Sequence, residues 1–137
     1  MPTYKADKTV STVQARGGID LTSVTGTYTI TANLAAADIL EMVKVPAGAM
    51  VQEVIVSGSA SVAGTSTGSV GDGADVDRYV TSGALGSGAA FLTRLNAATG
   101  HGYVYSAEDT IDIVFTTQTT PTTGAVIKLT AFYTMQS

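Results

Sequence analysis

Between Asp109 and Met135 apolar and polar residues trade places at every second position, a period that leaves the chain few ways to fold. In the first arm Ile111, Ile113 and Phe115 alternate with Thr110, Asp112 and Thr116. In the second, Ala125, Ile127, Leu129, Ala131, Tyr133 and Met135 share one face, while Lys128, Thr130 and Thr134 share the other with Val126 and Phe132 among them. This is the pattern of half-buried strands. Pro121 and Gly124 stand among threonines between the arms, residues that break a ladder and suit a turn. The stretch reads as a β-hairpin whose apolar face needs a second sheet or a partner to cover it.

The rest of the chain repeats the theme in shorter pieces. Thr27 to Thr31, Ile39 to Val45 and Met50 to Ser57 read as strands, with a Pro46-Ala47-Gly48 turn between the last two. Val54, Ile55 and Val56 in a row suggest burial on both faces, and one face of this strand pair is expected to pack on the C-terminal hairpin. Asn33 to Ala37 suits one helical turn, and Asp38 could cap the segment after it. Gly58 to Gly68 fits a weak strand or a loop, and Ala89 to Leu95 a strand or a short helix. Thr81 to Gly88 and Asn96 to Gly102 read as loops, and Tyr103-Val104-Tyr105 as the start of the strand before the hairpin. About eight short strands separated by turn residues predict an all-β chain, an antiparallel β-sandwich of jelly-roll or related Greek-key topology.

Met1 to Asp20 lacks this periodicity and carries Lys5, Lys8 and Arg16. It is expected to be an extended arm, either a frayed terminus or a segment that orders against a neighbouring subunit, with residues 21–137 as the sandwich domain. At 137 residues the chain fits one domain and can bury roughly two thirds of its unfolded surface. It has no cysteine, so neither disulfides nor thiolate chemistry are available. No apolar run approaches the ~20 residues of a membrane span, and the N-terminus has no signal-peptide core, so no membrane partner is expected. Seven basic residues are scattered against eleven acids for a net charge of −4, which argues against a nucleic-acid groove. The neutral, hydroxyl-rich remainder loses little solvation when buried against another protein.

Clustered chemistry is confined to Asp72-Gly73-Ala74-Asp75-Val76-Asp77. Three carboxylates so close could ligate a hard cation such as calcium, but the order is not that of an EF-hand loop. The preferred reading is structural: Asp72-Gly73 makes a tight turn while Asp75 or Asp77 pairs with Arg78. His101 sits between glycines; Ser106, Glu108 and Asp109 are near in sequence, but no nucleophile elbow surrounds Ser106. Glu41 and Glu53 could face each other across adjacent strands as a glycosidase pair, although sheet alternation favours solvent for both. Tyr28, Tyr79, Tyr103, Tyr105 and Tyr133 could form a sugar platform. The chain has no tryptophan, however, and tyrosines at sheet edges and at a subunit interface are the simpler account. Gly83 to Gly88 lacks the lysine of a phosphate loop.

Two segments together carry a resemblance. Val45-Pro46-Ala47-Gly48-Ala49-Met50-Val51-Gln52-Glu53-Val54-Ile55-Val56 resembles the strand–Pro-x-Gly–strand unit of small tailed-phage virion proteins. Ser69-Val70-Gly71-Asp72-Gly73-Ala74-Asp75-Val76-Asp77-Arg78-Tyr79 is similar to the Val-Gly-Asp-Gly-x-Asp-x-Asp-Arg-aromatic run that often accompanies it. Phage head decoration (cement) proteins, including the jelly-roll cement proteins of some short-tailed phages, are the family this pattern resembles. The resemblance implies a non-enzymatic virion protein, without cofactor or metal, on the outer surface of the capsid and assembled in the host cytoplasm. Its partner would be the major capsid protein, across capsomer contacts that it stabilises. It would act as a homodimer, with a trimer as the alternative, and no catalytic residue carries over. Capsid or subunit contacts are expected in the arm, at Tyr4, Lys5, Lys8 and Arg16. The rivals are a carbohydrate- or receptor-binding sandwich of a tail fibre or cell-surface protein, and an enzyme using the Asp72 to Asp77 loop with His101.

Overall fold

The computed structural model describes residues 21–29, 38–58, 67–84, 91–115 and 125–135. They form eight strands: β1 (Thr22–Thr29), β2 (Ile39–Val45), β3 (Ala49–Gly58), β4 (Thr67–Gly71), β5 (Val80–Ala84), β6 (Phe91–Arg94), β7 (Asp109–Phe115) and β8 (Val126–Met135). Two antiparallel four-stranded sheets result, ordered β1-β8-β3-β6 and β2-β7-β4-β5. The pairing is nested: β1 with β8, β2 with β7, β3 with β6 and β4 with β5. Such nesting is that of one long antiparallel ribbon rolled on itself, closed by β8 on β3 and β7 on β4. The expected sandwich of jelly-roll or related Greek-key topology is what this order delivers.

Rolling overturns the hairpin expected between Asp109 and Met135. Both strands are present, but β7 pairs with β2 and β4, and β8 with β1 and β3, in the opposite sheet. Each arm has an apolar face, and two such faces bury more by packing across the sandwich than by sharing a sheet. For the same reason the Pro46-Ala47-Gly48 turn is no hairpin. Gly48 takes a φ of +88°, which glycine tolerates, and carries the chain from β2 in one sheet to β3 in the other.

The interior is built from both inner faces. Val43, Val45, Val70, Ile111, Ile113 and Phe115 from one sheet meet Val51, Val54, Val56, Ile127, Leu129 and Ala131 from the other. Burying each Val, Ile, Leu or Phe among them contributes roughly 1.5–3 kcal/mol. In β3 the inward set changes parity, from Ala49 and Val51 to Val54 and Val56, because the register slips between Val51 and Glu53. A bulge does this by adding one residue to one strand. Ile55 is only half-buried on the outer side, so the run of three apolar residues marks one buried face beside a bulge and not burial on both.

Two further expectations are corrected. Residues 80–84 form β5 where a loop was expected, their ladder with β4 fixed by Val70 opposite Val80. The segment around Tyr103 to Tyr105 does not lead into β7; it makes one isolated bridge, Met50 to Val104. It continues along β3 where β6 stops: Leu95 N–H donates to Val54 O, then Gly102 N–H to Val51 O and Tyr105 N–H to Ala49 O, each at 2.9 Å. Residues 91–94 settle as a strand, and 67–71 as another. The expected arm at 1–20, the helical turn at 33–37 and the turn at 118–124 lie outside the described residues.

One corner shows how tightly the roll closes. A methyl group on Gly26 of β1 would land on the Met42 carbonyl oxygen of β2, whereas one on Gly73 would meet nothing within 4 Å. Gly26→Ala should therefore destabilise the fold by about 1–3 kcal/mol while Gly73→Ala stays near neutral. Chemical denaturation of the two variants checks this.

Candidate functional site

Asp72 follows β4 and is buried at 2% exposure. Its Oδ1 accepts the N–H groups of Ala74 (3.1 Å) and Asp75 (2.9 Å), the tight turn that an aspartate before glycine favours. The Asp72 N–H donates in return to Asp75 O at 2.9 Å. Arg78 Nε donates to Oδ2 at 2.6 Å, and the Tyr105 hydroxyl donates to the same oxygen at 3.0 Å. The Tyr79 and Tyr105 hydroxyls lie 2.7 Å apart deep in the core. Below the guanidinium, Arg78 Cζ stands 3.7 Å from the centroid of the Tyr103 ring, which meets Tyr105 edge-on. The sequence run from Gly71 to Tyr79 is thus one closed loop around a buried ion pair.

The electrostatics follow from this packing. Burial alone would lift the Asp72 carboxyl, but the bonds from Arg78, Tyr105 and the backbone, with the Arg78 charge, outweigh it and hold the group below the usual carboxylate range. Burial would likewise weaken the Arg78 cation, yet Asp72 raises its affinity for the proton. Tyr79 and Tyr105 are pushed well above the ordinary phenol range, chiefly by burial, so both stay neutral donors. All of this stabilises one arrangement and leaves no oxygen of Asp72 open to a ligand.

The preferred structural reading of the acidic loop therefore holds, with its partners corrected. Asp72, expected only to make the turn, is the main partner of Arg78; Asp75 stands at 3.9 Å, and Asp77 turns its N–H to Asp75. Asp77 is raised by its contact with the Asp75 carboxylate. Among the described residues no group of three or more His, Asp or Glu could hold a metal ion.

The other candidates disperse. Glu41 and Glu53 lie on β2 and β3 in different sheets and cannot act as a pair. Glu41 is exposed as expected, and Glu53, half-buried, is also engaged: it accepts Val54 N–H (3.0 Å), Leu95 N–H (3.2 Å) and Arg94 Nη2 (2.9 Å), tying the bulge to β6 and the residue after it. His101, Ser106 and Glu108 are exposed. Of the tyrosines, Tyr79 and Tyr105 are core, and Tyr28, Tyr103 and Tyr133 pack half-buried against it, with Tyr28 on the edge strand β1. Tyr4, Lys5, Lys8 and Arg16 lie outside the described residues.

One residue escaped sequence reasoning. Asp112 sits mid-strand in β7 on the outer face, opposite Glu41 in β2 and Gly71 in β4. Alternation predicts an exposed side chain; the structure buries it to 7% exposure, and its Oδ1 has no hydrogen-bond partner. The cover is the turn beginning at Asp72, whose Asp75 and Val76 backbone crowds Gly71. Burial raises the Asp112 carboxyl; a hydrogen bond with the Thr110 side chain opposes this, and the charges of Glu41, Asp109 and Asp72 add to it. An aspartate between isoleucines in a predicted strand was the available signal.

With the geometry in hand, the chain was compared with known proteins. No protein-family model and no curated protein matches it. Solved structures do. A chain in the capsid of Ralstonia phage GP4 superposes with a TM-score of 0.73 at 19% identity, covering 96% of this chain and 94% of that one. A chain of the cyanophage Pam1 capsid asymmetric unit gives 0.69 at 17% identity, covering 98% and 99%. The acidic stable capsid structure of Helicobacter pylori bacteriophage KHP30 contributes a third, at 0.58 and 13% identity, covering 87% and 94%. What is shared is the fold. It is shared from end to end.

The ion pair predicts a measurable pH dependence. Arg78→Met leaves Asp72 buried without a counter-charge and should cost about 3–5 kcal/mol at neutral pH. Because the folded-state value of Asp72 is depressed, its contribution is present above the unfolded carboxylate value and is lost as pH falls through the folded one. The wild type should therefore lose its advantage over the variant below about pH 4. Calorimetric melting across acid and neutral pH checks this.

Proposed function

We propose that the chain is a non-enzymatic phage head decoration (cement) protein that binds the outer surface of the capsid and stabilises contacts between capsomers. The observation that carries this reading is the end-to-end likeness to chains in the GP4 and Pam1 capsid structures, with the lengths nearly equal in both directions. A likeness confined to a domain within a larger protein would carry much less. The chemistry agrees. The acidic loop is closed on itself by Arg78, and the tyrosines that a glycan platform would use are in or against the core. These observations favour the decoration reading over the carbohydrate-binding and enzymatic rivals.

Physically, such a protein acts as a rigid bridge. A standard interface buries roughly 1,600 Å² in total, and a symmetric homodimer would engage two equivalent shell sites with an avidity gain. The major capsid protein is the partner on this reading, and the arm at 1–20, with Tyr4, Lys5, Lys8 and Arg16, supplies part of the contact. The test is attachment. Purified protein should co-sediment with heads that lack it and raise the temperature at which they release DNA. Deleting the first ~15 residues should weaken attachment while the domain still folds, as expected of a terminal arm. Heads that ignore the wild-type protein would reject the reading.

A further inference from the structure

Two carboxyl groups flank the turn from Asp72 to Asp77, and their surroundings are opposite. On the core side stands Asp72, both of whose oxygens accept hydrogen bonds and whose charge is matched by Arg78 at 2.6 Å. On the outer side stands Asp112 of β7, opposite Gly71 and beneath the Asp75 and Val76 backbone that crowds that glycine. Asp112 is just as enclosed, yet its Oδ1 has no hydrogen-bond partner. One carboxyl is built to stay charged; the other has nothing that answers its charge.

Each described element packed around Asp112 brings it an acid, or a cation already engaged elsewhere. β2 sets Glu41 directly opposite in register, while Lys44 of the same strand reaches to Glu108 at 4.0 Å. β7 itself adds the Thr110 hydroxyl and the Asp109 carboxylate. The turn adds Asp72, Asp75 and Asp77, with Arg78 bonded to Asp72 and 3.9 Å from Asp75. Like charges directly opposite on one sheet face repel. A buried carboxylate with an unmet oxygen is costly as an anion, whereas the neutral acid costs less and gains an O–H donor. Enclosure that keeps out a side chain still admits a proton.

We propose that Asp112 is a proton-operated lock on the Asp72 to Asp77 turn: with a proton on its carboxyl the turn seats over β7, and without one the turn lifts more readily. Opening of the turn wets Asp112 and eases its ionisation, so ionisation in return favours opening. Burial, with the charges of Glu41, Asp109 and Asp72, raises the carboxyl against the opposing Thr110 hydrogen bond. A raised group contributes stability below its unfolded value and loses it as pH rises through the folded one. Asp72 runs the other way, keeping its contribution until pH falls through a value below the usual carboxylate range. In mild acid Asp112 is neutral while Asp72 is still charged, and there the turn is tightest.

NMR of the whole chain between about pH 4 and pH 8 tests this, by titrating the Asp112 carboxyl carbon and timing hydrogen exchange in the turn. The carboxyl should titrate above the ordinary aspartate value of about 3.9. The amides of Ala74, Asp75 and Asp77, corrected for the pH dependence of intrinsic exchange, should become better protected as pH falls through that midpoint. The gain should be about tenfold for each unit by which the midpoint exceeds the ordinary value, since the same linkage sets both. Asp112→Asn keeps the shape without the charge; its turn should be protected at neutral pH as the wild type is in acid, with little change between. An Asp112 midpoint at or below the ordinary value would overturn the proposal, and so would turn protection that does not follow that midpoint. A pH response in Asp112→Asn equal to that of the wild type would also overturn it, by assigning the response to another group.

Discussion

An apolar interior contributed in equal parts by two sheets is the constraint on which the rest of the structure depends. Neither sheet can cover its own inner face, so strands adjacent in sequence are sent to opposite layers, and only β4 and β5 remain side by side after a local turn. The nested pairing of the first strand with the last, and so inward, closes the termini of the ribbon onto each other. Contacts between residues far apart in sequence dominate such a topology, which makes it slow to form and cooperative once formed. Where the backbones must approach, at Gly26 against Met42, a side chain would hold the layers apart.

A polar plug finishes one end of that interior. Asp72, Arg78, Tyr79 and Tyr105 bring a charge pair and two buried hydroxyls into that end of the core, each with a partner. Buried ion pairs add little net stability, but one fully bonded arrangement excludes many alternatives. The plug fixes the turn from Asp72 to Asp77, and that turn in turn covers Asp112 on the outer face. A core device and a surface feature are therefore joined through six residues of chain.

Much of this was legible in the sequence, for reasons that can be named. Period-two alternation identified β7 and β8 and their inner faces, because burial of one face is a local property of a strand. It could not say which strands pair, since an antiparallel hairpin and a crossing between layers have the same alternation; hence the mistaken hairpin at Asp109 to Met135. The run Val54-Ile55-Val56 misled because a bulge shifts parity without leaving a mark in composition. The loop motif from Gly71 to Tyr79 was readable as structural, but the share of Arg78 taken by Asp72 depended on Tyr105, 33 positions away in sequence. The burial of Asp112 depended on that same folded turn and had no local signature beyond a charge between isoleucines.

The proposed role rests on a whole-chain likeness in fold to chains of phage capsid structures. Imaging the intact phage particle at a resolution that separates strands tests the account most directly. It predicts an eight-stranded sandwich on the outer surface of the head, at the contacts between capsomers. Density for this chain in the tail or the head interior, or its absence from the particle, would contradict it.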